Sequence, residues 1–213
     1  MKNVSSLLLF LFAISPVLLH AQKQFGLKLG ANVGNVDEQI KIFDNTNLVG
    51  IEEQVYKINY TPQVGIWLDL PLTSRLSLQP ELLWTQKAFE PEENNPDNTY
   101  INFHYFSAPL LAKYKFRKWR IELGAEASFL MDQSLENADS PQEESPFIEE
   151  HTFEFAALLG VQFQHNRWML GVRGSRDLTD FQNFDIQAVQ DELLATIKHF
   201  HQSVTLWVGY QIL

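Results

Sequence analysis

The chain has 213 residues, with 26 acidic against 16 basic side chains, a formal net charge of −10 and no cysteine. That charge argues against nucleic acid as a partner, and the lack of cysteine excludes disulfides, thiolate metal sites and a lipoprotein anchor. A mean hydropathy of −0.17 does not by itself indicate a soluble protein, because a transmembrane barrel alternates polar and apolar residues and never looks hydrophobic over a window.

The chain opens with a short positive stretch, Met1–Lys2–Asn3, and an apolar run from Leu7 to Leu19 broken only by Ser15 and Pro16. A small residue, Ala21, precedes Gln22. This reads as a secretory signal peptide over 1–21, since the apolar run is shorter than the roughly 20 residues of a spanning helix. One domain is then expected over 22–213.

Eight period-two segments follow, near 24–34, 60–70, 75–87, 101–116, 119–131, 152–165, 167–176 and 200–212. The first sets Phe25, Leu27, Leu29, Ala31 and Val33 against Gly26, Lys28, Gly30 and Asn32. In the third, Leu76, Leu78, Leu82 and Trp84 oppose Ser77, Gln79, Glu81 and Thr85. The fifth places Ile121, Leu123, Ala125, Ala127 and Phe129 opposite Glu122, Gly124, Glu126 and Ser128. The last alternates Val204, Leu206, Val208, Tyr210 and Ile212 with Ser203, Thr205, Trp207, Gly209 and Gln211. Each segment is about 10 residues or more, the length of a tilted strand crossing a bilayer and longer than a typical globular strand.

The connections alternate long and short. The short ones are Pro71–Ser74, Arg117–Lys118 and His165–Asn166, and the long ones cover 35–59, 88–100, 132–151 and 177–199. An eight-stranded antiparallel transmembrane β-barrel with both termini periplasmic produces this rhythm, short turns inside and long loops outside. Charge divides the same way: 21 of the 26 acids lie in the long connections, while Arg75, Arg117, Lys118, Arg120 and Arg167 mark the short turns and their flanks. The other five acids, Asp69, Glu81, Glu122, Glu126 and Glu154, fall on the polar faces of strands, with Lys28, Lys113, Lys115 and Arg173. These nine are expected to form a structural charge network inside the barrel, where buried charges must be paired. Trp84, Phe106, Tyr114, Phe116, Trp119, Trp168 and Tyr210 lie towards strand ends, where interfacial rings are favoured.

Within 186–200, Ile186, Val189, Leu193, Leu194 and Ile197 recur at helical spacing, which predicts a short amphipathic helix over the outer mouth. Pro109 lacks a donor and predicts a bulge or bend in the fourth strand. No residue is assigned a catalytic, cofactor or metal role. His199 and His201 are a possible pair without a third ligand, Ser107 and Ser175 have no convincing base, and 132–150 lacks the order of a calcium loop.

Several motifs resemble the PorT-like outer-membrane β-barrel family of the Bacteroidota, which are small eight-stranded barrels. They are the opening Phe25-Gly-Leu-Lys-Leu-Gly-Ala-Asn32, Phe106-Ser-Ala-Pro-Leu-Leu-Ala-Lys-Tyr114, Glu122-Leu-Gly-Ala-Glu126, Gly171-Val-Arg-Gly-Ser-Arg-Asp-Leu-Thr-Asp180 and Leu206-Trp-Val-Gly-Tyr210. Two departures stand out, Arg176-Asp177 before Leu178-Thr179 and a final Leu213 where an aromatic is common. The resemblance implies the barrel type, and in some members a part in gliding or protein secretion. The expected function is a monomeric, non-enzymatic structural or binding module of the outer membrane. Its partners would be outer-membrane lipid and envelope proteins met through the four long loops. A narrow solute channel and a soluble periplasmic lipid-binding barrel are the alternatives.

Overall fold

A computed structural model describes residues 23–42, 57–89, 100–136, 152–180, 182–187 and 193–213, so the leader and the centres of the long connections lie outside the described residues. The alternating segments form nine strands: β1 (Gln24–Ile42), β2 (Asn59–Pro71), β3 (Leu76–Phe89), β4 (Tyr100–Phe116), β5 (Trp119–Glu136), β6 (Phe153–His165), β7 (Trp168–Asp177), β8 (Gln182–Gln187) and β9 (Leu193–Gln211). Strands β1 to β7 and β9 pair antiparallel in order, and β1 pairs with β9 to close an eight-stranded barrel. Closure leaves the barrel wall no open edge, as lipid demands of backbone N–H and C=O groups.

The faces are inverted relative to a soluble sandwich. Leu123, Leu159, Leu170 and Leu206 are more than half exposed on the outside, whereas Lys28, Lys113 and Glu122 are 2, 1 and 0 % exposed within. Aromatic pairs ring both ends of this apolar band. Trp119–Phe163 and Trp168–Tyr210 (centroids 5.1 and 4.9 Å apart) lie at the short-turn end, and Phe129–Phe153 (5.1 Å) at the other. Trp119 and Phe129 share β5, and ten residues at ~3.3 Å rise and ~40° tilt span about 25 Å along the axis. That is the height of a hydrocarbon layer.

The short turns are tightly held. Thr73 Oγ1 accepts from the backbone N–H groups of Arg75 (3.2 Å) and Leu76 (2.9 Å). The other two turns each place a residue at positive φ, Arg117 at 58° and Asn166 at 54°.

At the opposite end the strands outrun the expected loops. The β1–β9 ladder continues to Ile42↔Ala195, and β8 takes over the free side of β9 from Gln182↔His199. The helix expected over 186–200 is therefore replaced, within the described residues, by strand at Ile186–Gln187 and from Leu193 onward. Leu193, Ala195, Ile197 and His199 also satisfy a period of two, and pairing with β1 decides between the two patterns. Pro109 makes no bulge: the β3–β4 register is the same on either side of it, Pro80↔Leu110 and Leu83↔Ser107, with only the rungs between them missing. The β4 irregularity falls instead at His104/Tyr105.

Candidate functional site

The polar faces converge inside the barrel, and the residues there form layers. Nearest the short turns, Arg120 Nη1 donates to Asp69 Oδ2 at 3.1 Å. Just above, Arg173 sends both Nη groups to Glu81 (2.8 and 2.9 Å) and Nε to Glu122 (2.6 Å). Lys28 Nζ donates to Glu81 at 3.0 Å, and Lys113 Nζ lies 3.2 Å from Glu122 while donating to Gln162 Oε1 at 2.6 Å. A Trp207 ring floors this group, with Lys28 Nζ 4.6 Å from its centroid and Lys113 and Arg173 at 5.7 and 5.9 Å, within cation–π range. Trp67 and Met169 complete an apolar layer around it.

Glycines make room for this packing. Glu122, Gly160 and Arg173 are neighbours on successive ladders. A Cβ on Gly160 would fall 2.6 Å from Glu122 Oε1, so only the bare backbone lets the carboxylate and guanidinium meet across β6. Gly171, paired with Trp207, leaves the space its indole fills in the same way.

A second charge cluster lies towards the long loops. Lys87 Nζ bridges Glu154 (2.5 Å) and Asp177 (2.8 Å), and Tyr105 Oη donates to Glu154. His201 Nδ1 stands 3.6 and 3.5 Å from the same two carboxylates, its ring edge-on to Phe103 and Tyr105. Glu154, Asp177 and His201 can offer three metal-ligand atoms within 4.8 Å. The Lys87 ammonium already fills the place between the carboxylates, so the group is satisfied as an ion cluster. Above it, Val36, Ile101, Phe103, Tyr105 and Leu130 from β1, β4 and β5 form a buried apolar lid.

A cavity of about 40 Å3 runs from the Arg173 layer alongside the second cluster towards the long loops, lined in part by Glu126, Arg173, Thr85, Lys87, His201 and Asn59. This has room for a few waters at most. Glu126 accepts from Ser128 at 3.0 Å and, among the described residues, has no ion pair. The Ser107 hydroxyl is engaged with that of Ser128 at 2.8 Å.

Of the nine residues expected inside, Lys28, Asp69, Glu81, Lys113, Glu122, Glu126, Glu154 and Arg173 are buried there. Lys115 is the exception and is exposed. It has inward parity, but it lies one residue from the end of β4, opposite Arg120, beyond the last packed layer. Four residues of the interior ion clusters lie outside the expected network: Arg120, Lys87, Asp177 and His201. Parity alone points Arg120, Lys87 and His201 inward, in step with Glu122, Thr85 and Thr205. Lys87, Arg120 and His201 sit at the margins of the segments 75–87, 119–131 and 200–212, and Asp177 opens the connection 177–199.

Residues 20–183 match the family described as outer membrane protein beta-barrel domain. The chain belongs to this family. Two solved structures share the fold of this outer-membrane barrel. OprG of Pseudomonas aeruginosa is 12% identical with a TM-score of 0.50, the alignment covering 91% of this chain and 97% of that one. Neisserial surface protein A is 11% identical with a TM-score of 0.51, covering 87% and 96%. No curated protein matches the chain by sequence.

Proposed function

We propose that this barrel is a monomeric, non-enzymatic structural or binding module of the outer membrane, closed to solutes, with 1–21 removed as a signal peptide. Both termini would face the periplasm, and the long loops would present the outer surface to other envelope proteins. The observation that carries this reading is the stacked interior. An ion-paired layer spans the lumen near the short-turn end, and a second ion cluster, a few-water cavity beside it and a buried apolar cluster fill the loopward part. A solute would have to break the charge-assisted hydrogen bonds of the Arg173 layer, which is costly in a low-dielectric interior.

The motif around Phe106–Tyr114 supports a PorT-like member, and with it a role beside an envelope or secretion assembly. The outward apolar band favours the membrane over a soluble lipid-binding barrel. Purified protein in planar bilayers is expected to give no stable single-channel steps, and reproducible steps would overturn the closed reading in favour of a narrow channel. Crosslinking in whole cells followed by solubilisation of the outer membrane should retain a partner on loops 35–59, 88–100, 132–151 or 177–199. Recovery of the protein as a free soluble species would defeat the membrane placement itself.

A further inference from the structure

The short-turn end carries a charge pattern that the interior does not explain. Lys23, Arg75, Arg117, Lys118 and Arg167 are all exposed there. The acids at the same height, Asp69 and Glu122, are buried and paired with Arg120, Arg173 and Lys113. These exposed bases sit just before β1 and in all three short turns, so they run around the circumference instead of forming one patch. Directly beside them lie the outward aromatic pairs Trp119–Phe163 and Trp168–Tyr210, the ring type favoured at headgroup depth. Arg75 Nη1 lies 3.4 Å from Tyr114 Oη, and the Arg117 guanidinium is 5.6 Å from the Phe116 ring.

One backbone detail is independent of the charge. Arg117 occupies φ 58° in a two-residue turn, a region that glycine or asparagine enters with little strain and other residues do not. The corresponding position of the β6–β7 turn is Asn166. An arginine kept at a strained position points to a task for its side chain.

We propose that this collar binds the headgroups of anionic phospholipids in the leaflet surrounding the short-turn end. A leaflet meets the barrel on every side, as the bases do, whereas an acidic protein would meet one side only. The guanidinium groups would take phosphate oxygens in paired hydrogen bonds, while the aromatic ring fixes their depth. The proposal rests on the chain spanning a bilayer and is independent of what the long loops bind.

The test is tryptophan quenching of the folded protein in bilayers of phosphatidylcholine doped with brominated phosphatidylglycerol or brominated phosphatidylcholine. Quenching by either lipid reads insertion, and the ratio of the two reads the collar. At low salt brominated phosphatidylglycerol is expected to be favoured about five-fold, the equivalent of about 1 kcal/mol for one base at an anionic surface. The ratio should fall towards one at 1 M salt. It should also fall in the Arg75→Gln, Arg117→Gly, Lys118→Gln, Arg167→Gln variant, which keeps only Lys23 of the collar, and persist when the three arginines become lysine. Equal quenching by the two lipids in the parent protein at low salt overturns the proposal and leaves the collar to a soluble acidic partner. An undiminished ratio in the neutralised variant also overturns it. Should that variant fail to fold, the salt series on the parent protein decides.

Discussion

Replacing Glu81 and Glu126 by glutamine makes the same chemical change twice in one interior, and the structure expects opposite outcomes. Glu81 accepts from Lys28 (3.0 Å), from both Nη groups of Arg173 (2.8 and 2.9 Å) and from Gln79 (2.7 Å). With Glu122 it balances Lys28, Lys113 and Arg173, two carboxylates against three cations. Glu81→Gln leaves one carboxylate against three buried cations and turns two acceptor oxygens into one. Breaking a buried ion pair from one side costs roughly 3–5 kcal/mol, so a loss of about 4 kcal/mol is expected, close to a thousand-fold in the unfolding equilibrium. Glu126 has only the 3.0 Å bond from Ser128, which an amide oxygen can still accept. Glu126→Gln should therefore stay within about 1 kcal/mol of the parent, the net worth of one hydrogen bond. Guanidinium unfolding in lipid vesicles, followed by tryptophan fluorescence with equal m-values, measures both. Equal losses for the two variants, or a larger loss at Glu126, would refute the account of the interior as specific pairs.

Gly160→Val should destabilise by 2 kcal/mol or more in the same assay, since its Cβ would meet Glu122 Oε1 at 2.6 Å and the Val172 carbonyl oxygen at 2.8 Å, contacts that the rigid wall cannot relax. Lys87→Met strands Glu154 and Asp177 without their shared ammonium. A loss of roughly 3–5 kcal/mol is expected, with faster hydrogen exchange at the loop-side ends of β7 and β9 than at their turn-side ends. Asn183 and Lys198 are paired across β8 and β9, at the Cα spacing a disulfide spans. The double variant Asn183→Cys, Lys198→Cys should form an intramolecular disulfide under mild oxidant, a bond that a helix over 186–200 would prevent. The natural chain has no cysteine to interfere.

The wall was readable because lipid outside and polar packing inside impose a strict period of two, and each strand repeats that choice many times over. Segments such as 119–131 therefore revealed which residues face inward before any pairing was known. The strand ends are different. Lys87, Asp177 and His201 belong to β3, β7 and β9, and they meet only because the closed sheet brings these strands round one lumen. Such an encounter depends on the register of non-local ladders, which no single segment records. Lys115 shows the complementary error: parity told its side correctly but not that the packed interior had already ended. The 186–200 stretch was ambiguous for a local reason, since Leu193 and Ile197 fit both periods, and only the distant β1 settles it.

The β1–β9 ladder, unbroken from Gly26↔Gln211 to Ile42↔Ala195, joins the first strand of the chain to the last. Every other wall ladder joins consecutive strands, or β7 to β9 across the short β8, and spans far less of the chain. The seam alone waits for the whole sheet, and bringing its ends together costs about 5 kcal/mol of loop-closure entropy by the (3/2)RT ln n rule for some 190 residues. Until then the growing sheet carries two raw edges at the bilayer. Closure of this barrel thus hangs on a single long-range pairing. The projection of β1 and β9 beyond the wall supplies additional rungs for that pairing, so the strands that shape the long-loop rim also fasten the seam.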